Sequence, residues 1–289
     1  MPLTRDIIEA LHTEPMLREI CGFPRREDIP SEATFSRAFA EFAKRNLGTL
    51  LHQNLVHNFI GDRIVGHLGR DSTAIEAREK PAKRPKKEPK VKNPVGHPKK
   101  GEIRPKKEET RIKRQVHQSV EQALAEIPKV CDIGKKQDSK GNTYSWQGYK
   151  AHIDTADGDL PVNVVTTSAS VHDSQLAIPM MRQTSEYVIS LYDLMDSAYD
   201  AKEIHQVSLA LGHKPIIDSN PRRGEKVEFD PAGKRRYCQR SACERVNSRL
   251  KDEFGGRHLR VQGHSKVHLH IMFGIVALFC DQLFHVENW

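Results

Sequence analysis

Asp71, Asp196 and Glu244 are the side chains whose setting most invites a chemical reading. Asp71 closes a short predicted strand that begins at Arg63, Asp196 closes the apolar run from Tyr187 to Met195, and Glu244 lies in a helical stretch stopped by Gly255-Gly256. Two aspartates at the ends of core strands and an acid on a later helix suit a common meeting point. Gathered carboxylate oxygens bind hard divalent cations, magnesium first. Two such ions about 4 Å apart activate a water or hydroxyl and stabilise the departing oxygen in phosphodiester cleavage, with no protein nucleophile.

Each acid alone says little, because the chain has 38 acidic residues. The surroundings of the third are more informative. Tyr237, Arg240, Glu244 and Lys251 are spaced so that, at about 100° per residue, all four fall within about 60° on one helix face. A stripe of one ring, two cations and a carboxylate is unsuited to an apolar core. It suits a surface where metal and DNA phosphates meet. The plainer alternative is an ordinary ion pair between Arg240 and Glu244, one helical turn apart. Other acids compete: Glu76, Asp173, Asp193 and Asp200 lie near the chosen three, and Asp173 beside His172 is the strongest rival for the second position. Asp196 is preferred because it ends an apolar run, whereas Asp173 opens a helix and reads as its cap. His172 reads as structural, since magnesium seldom takes nitrogen.

The elements that must position these residues follow from periodicity. Residues 1–60 read as amphipathic helices, with a restart at Ser31 as a cap and Phe35, Phe39 and Phe42 on one face. A strand covers 63–71. A polar helix lies near 115–126, and a hairpin is predicted from Tyr144 to Thr155 and from Pro161 to Thr167 around the turn at Asp157-Gly158-Asp159. There follow a helix at Ser174–Thr184, a strand at Tyr187–Met195, a helix from Asp200 to about Leu211, a strand at Lys214–Ile217 and a charged loop through Arg222-Arg223. A helix from about Gln239 to Phe254 and a long apolar C-terminal helix complete the series. This order predicts an α/β fold, a mixed sheet flanked by helices.

Charge is concentrated. Residues 78–115 hold sixteen Lys or Arg against five Glu, a balance of +11 that leaves the rest of the chain at −3 out of a total of +8. Such a segment attracts polyanions, nucleic acid above all, although a solvated linker reads the same way. Its six prolines and scarcity of large apolar residues predict a mobile insertion without a core of its own. Five scattered cysteines, with no C-x-x-C pair, suggest neither a disulfide framework nor a zinc site. The N-terminal segment lacks a signal pattern, and the apolar stretch 267–286 is interrupted by His268, His270, Asp281, Gln282 and His285. The expectations are therefore cytoplasmic residence, no membrane partner and a buried C-terminal helix.

The stripe Tyr237, Arg240, Glu244, Lys251 resembles the Tyr-Arg-Glu-Lys signature of bacterial insertion-sequence transposases of the DDE class. Gly69-Arg70-Asp71-Ser72-Thr73 and Asp196-Ser197-Ala198-Tyr199-Asp200 are similar to the family's two aspartate strands. Trp146 to His152 and Val171 to Ser174 are similar to its hairpin and helix start, and residues 15–45 to its N-terminal helices. The resemblance implies an RNase H-like catalytic domain over 61–289, interrupted at 78–115, and a small helical N-terminal domain over 1–60, DNA-binding and shorter than usual. It implies magnesium-dependent DNA strand cleavage and strand transfer at insertion-sequence ends. Asp71, Asp196 and Glu244 would ligate two Mg2+ ions, for which Mn2+ substitutes, and Tyr237, Arg240 and Lys251 would meet DNA phosphates. Double-stranded DNA of element ends and target, and a homodimer assembled on it, would be the partners. Two other functions fit the same residues: a non-catalytic DNA-binding remnant of a transposase, and a host nuclease of the same fold.

Overall fold

The computed structural model describes residues 3–83, 96, 108–137, 141–221 and 225–286. Most of the basic stretch, and Arg222-Arg223 with Gly224, lie outside the described residues. The N-terminal sequence forms α1 (Thr4–Thr13), α2 (Pro15–Ile20), α3 (Glu32–Lys44) and α4 (Leu47–Ile60). Ser31 caps α3 by accepting the Thr34 backbone N–H, which satisfies one of the donors a helix start leaves open. On the predicted apolar face of α3, Phe39 packs edge-on against Phe273, whereas Phe42 is exposed. Val56 and Ile60 of α4 share an apolar cluster with Val65, Leu68 and Phe279, which fastens this helix to the sheet.

β1 (Ile64–Glu76) runs five residues beyond Asp71, so that aspartate sits inside the strand and not at its end. The extension exists because a later strand pairs with it continuously from Leu68 to Glu76. The single polar helix expected near 115–126 is two short helices, α5 (Arg111–Gln115) and α6 (Val120–Ala125). Ser119 starts the second with a reciprocal cap to Gln122, and the Arg182 guanidinium donates to the carbonyls of Gln115, Val116 and Gln118 in the break. α5 falls within the last residues of the predicted insertion, and its Gln115 is fully buried.

β2 (Asp132–Gln137) has no counterpart among the expected strands, because its polar sequence carries no apolar alternation. The predicted hairpin is β3 (Thr143–Ala156) and β4 (Leu160–Ser168), joined by a turn in which Gly158 and Asp159 take φ of 75° and 59°. Then come α7 (Ser174–Ser185), β5 (Ile189–Met195), α8 (Lys202–Ala210) and β6 (Lys214–Ile217). The predicted helix at 239–254 is α10 (Ser241–Asp252) with a 3-10 turn at Cys238–Arg240 before it, and a further helix not expected from the sequence, α9 (Pro231–Tyr237), precedes that turn. Asp230 caps α9 through the Gly233 N–H and Pro231 occupies its first position, a start signal upstream of the expected helix. Gly255, at φ 79°, follows the end of α10 as expected.

The sheet order is β2-β3-β1-β5-β6, with β4 also paired to β3. β1, β5 and β6 are parallel, while β3 runs antiparallel to β1, β2 and β4. On one face α7 and α8 bury Ile178, Met181 and Ile204 with Met195 and Ile217. On the other, α10 and α11 (His264–Val286) bury Val246, Leu250, Ile271 and Ile275 against Ile75, Tyr149, Ala151 and Ile153. This is the RNase H-like mixed sheet expected from the sequence. α11 is long and apolar enough to cross a membrane by composition. Its Val267, Leu269, Ile271, Met272, Ile275, Leu278 and Phe279 are nevertheless buried inside the protein, as a core helix requires.

Candidate active site

Asp71 lies on the face of β1 that α10 covers. That approach depends on Gly69, two residues earlier on the same face, because a Cβ there would collide with the Cys243 sulfur of α10. With α10 so close, Asn247 donates from Nδ2 to Asp71 Oδ2 at 3.1 Å. Asp196 follows β5 and caps the 3-10 turn Ser197–Tyr199, its Oδ1 accepting the Ala198 N–H at 2.9 Å. Its other oxygen faces Arg240.

Arg240 stands in the turn between α9 and α10 and joins the site. Its Nη2 is 3.3 Å from Asp71 Oδ1 and 3.6 Å from Asp196 Oδ2, and its Nη1 is 3.4 Å from Glu244 Oε1. One guanidinium therefore touches all three acids singled out from the sequence. Its Nε is buried without a partner among the described residues. Burial raises the pKa of Asp71 and of Asp196, and Arg240 opposes that rise at both. Three carboxylates and one guanidinium carry a net charge of −2 when all are ionised.

Such an all-oxygen set matches the preference of magnesium, which takes one or two carboxylates and keeps several waters. Among the described residues no three His, Cys, Asp or Glu side chains stand close enough to share one ion. One oxygen of each acid lies 3.3 to 3.6 Å from the Arg240 guanidinium instead. The donor types fit the metal, and the oxygens are held by Arg240.

Of the other residues of the predicted stripe, Tyr237 ends α9 with its ring 4.8 Å from that of Phe229, and burial pushes its hydroxyl pKa to about 12. Lys251 sits near the end of α10. Burial lowers its pKa, and the nearby cations Arg257 and Lys136 add to that effect. The four are not on one continuous helix, since a 3-10 turn intervenes, but the Arg240–Glu244 contact survives the break.

Asp173 does not cap α7: no backbone N–H of the helix donates to its carboxylate. Lys150 Nζ instead donates to it at 2.8 Å and to the Val171 carbonyl at 2.9 Å. The rival acid is thus neutralised by its own lysine, although it still raises the pKa of Asp196. His172 bonds locally to Ser174. Asp193 is buried with Ser208 and His213, and Asp200 accepts from the Asn220 N–H and contacts His205. Glu76 sits exposed at the end of β1.

Sequence reasoning missed Asn247 and Lys136, and quoted Tyr199 only as part of the second aspartate segment. Asn247 lies three residues after Glu244 and four before Lys251, so extending the helical stripe would have found it. Lys136 comes from the unexpected β2, and its charge lowers the pKa of both Asp71 and Asp196. The Tyr199 hydroxyl is buried without a partner among the described residues, and burial with Asp173, Asp71 and Asp196 drives its pKa well up, so it keeps its proton.

A mixed six-stranded sheet flanked by helices is the architecture of an RNase H-like domain. The chain belongs to the family described as transposase DDE domain, whose model matches residues 71–280, beginning at Asp71. No curated protein and no solved structure matches the chain significantly.

Proposed function

We propose that this transposase cleaves DNA strands at insertion-sequence ends and transfers them to target DNA, with Asp71, Asp196 and Glu244 as the acids that hold two magnesium ions. The observation that carries the reading is the single guanidinium in contact with all three. β1, β5 and α10 pack together, and the three acids that they bring to Arg240 repel one another unless a cation compensates. Bound at these oxygens, magnesium, or manganese in its place, would supply the Lewis acidity that phosphodiester cleavage and transesterification require. Asn247 and the Ala198 N–H fix the rotamers of Asp71 and Asp196, so two of the acids are pre-oriented. Arg240 balances part of the acidic charge, and dications taking over that task would free its guanidinium for a DNA phosphate. Tyr237 and Lys251, before and after it in the stripe, would extend the contact along the backbone. Residues 1–60 supply a helical DNA-binding unit, and a homodimer assembles on paired ends in the cytoplasm.

A labelled duplex carrying the repeat that borders the coding region, incubated with the protein and magnesium, tests this. The expected products are nicked strands with free 3′ hydroxyls and joined strands, both abolished by Asp196→Ala and Glu244→Gln. Activity that survives these substitutions removes the site. Nicking without joining identifies a nuclease, and salt-sensitive binding without any cleavage identifies a remnant.

A further inference from the structure

Lys234, Arg235 and Arg236 follow one another at the end of α9, and none has an acidic partner among the described residues. The arginines of α10 differ: Arg245 is paired with Asp159, and Arg249 with Glu253 and Asp281. Three adjacent cations without counter-charge repel one another and favour a polyanion. Arg236 is also held in place, its guanidinium lying 4.1 Å over the Tyr192 ring. That contact restricts the side chain while leaving its N–H donors free. Tyr192 in turn stacks on His67, with centroids 5.6 Å apart. Arg235, Arg236, His67 and Gln239 line an open cavity of about 290 Å³.

The position of this cavity relative to the acids follows from strand geometry. His67 is paired with Tyr192 across β1 and β5. Each precedes its acid, Asp71 or Asp196, by four residues, and alternate strand residues share a face. At about 3.3 Å per residue the cavity lies roughly 13 Å from the carboxylates, on their side of the sheet. A duplex advances about 3.4 Å per nucleotide along its axis, so this is roughly four nucleotides.

We propose that Arg235 and Arg236 form a phosphodiester-binding site for the DNA backbone, about four nucleotides from the bond that the carboxylates address. The location relative to a cleaved bond rests on the function proposed above, whereas the binding itself does not. Full-length protein and a fluorescein-labelled duplex in calcium buffer, followed by anisotropy over a salt series, test it. Each phosphate contact removed lowers the slope of log K against log salt by about 0.9. Arg235→Ala with Arg236→Ala is expected to reduce the slope by about two, and replacement of both by Lys to retain it. Arg235→Ala alone, at an exposed position, is expected to remove about one and decides the matter if loss of the Tyr192 stack unfolds the double variant. An unchanged slope in a folded variant overturns the site. Wild-type protein that never cleaves in magnesium but loses slope as expected on substitution overturns the transposition reading and leaves this site standing.

Discussion

Two arginines reach the two faces of β1 in opposite circumstances. Arg70 is fully buried, and its Nε and Nη2 donate to the two oxygens of Asp154 at 2.7 and 2.8 Å. Thr184 of α7 adds a third hydrogen bond to that carboxylate at 2.6 Å, so one charge meets one charge with its lone pairs occupied. Arg240 meets three carboxylates at 3.3 to 3.6 Å, leaves its Nε unpartnered among the described residues and neutralises a third of the charge around it. A closed pair fixes the central strand from behind, while the open cluster in front is left under-neutralised, as the dication site proposed above would require. On the function proposed above, the difference separates an arginine that holds the fold from one that serves the chemistry.

The contrast breaks first at Asp154. Asp154→Ala leaves a buried guanidinium without its counter-charge and is expected to cost about 3–5 kcal/mol, measured by urea unfolding. A loss below about 1 kcal/mol would mean that the rear pair is no more structural than a surface one. Gly69→Ala comes next. It forces a methyl group into Cys243, and overpacking of this kind costs about 1–3 kcal/mol. Cleavage should fall with it, because α10 carries Glu244 and Asn247, and Cys243→Ala should restore both stability and activity. The smallest effect is expected at the front. Asp196→Asn removes one of three crowded charges and should shift stability by less than about 0.5 kcal/mol. Magnesium should raise the thermal midpoint of the wild-type protein and leave that variant unmoved. A large unaided loss at Asp196 would erase the distinction between the two arginines.

Legibility differs in the same way. Asp196 is readable from the sequence because Val188, Leu194 and Met195 are buried in the run before it, and a carboxylate directly after an apolar run marks the mouth of a core strand. Asp71 is readable as a residue but not as a mid-strand one. The strand continues past it because Asp71 to Glu76 pair in register with Ile153 back to Gly148 on β3. Ser72, Thr73 and Ala74 are small and give little strand signal of their own, so the ladder and not the local letters sets the end of β1. β2 is invisible because Asp132–Gln137 is mostly polar and exposed, and only its ladder to β3 makes it a strand. Asp173 departs from its expected role for a related reason. A helix start suggests a cap, and nothing near it in sequence announces that Lys150 comes across from β3 to take the carboxylate.

Local features are written in the residues themselves: the periods of strands and helices, the caps at Ser31 and Gly255, the turn at Gly158, and the stripe that sets Arg240 one turn before Glu244. These follow from backbone repeats of 2 and 3.6 residues and from steric limits on φ, which act within a few residues. The tertiary structure alone decided which of several nearby acids faces Arg240, that Arg70 closes on Asp154, and that α10 lies close enough to β1 for Asn247 to reach Asp71. Those contacts join residues far apart in the chain, and their geometry depends on strand register and helix docking, which no single segment encodes.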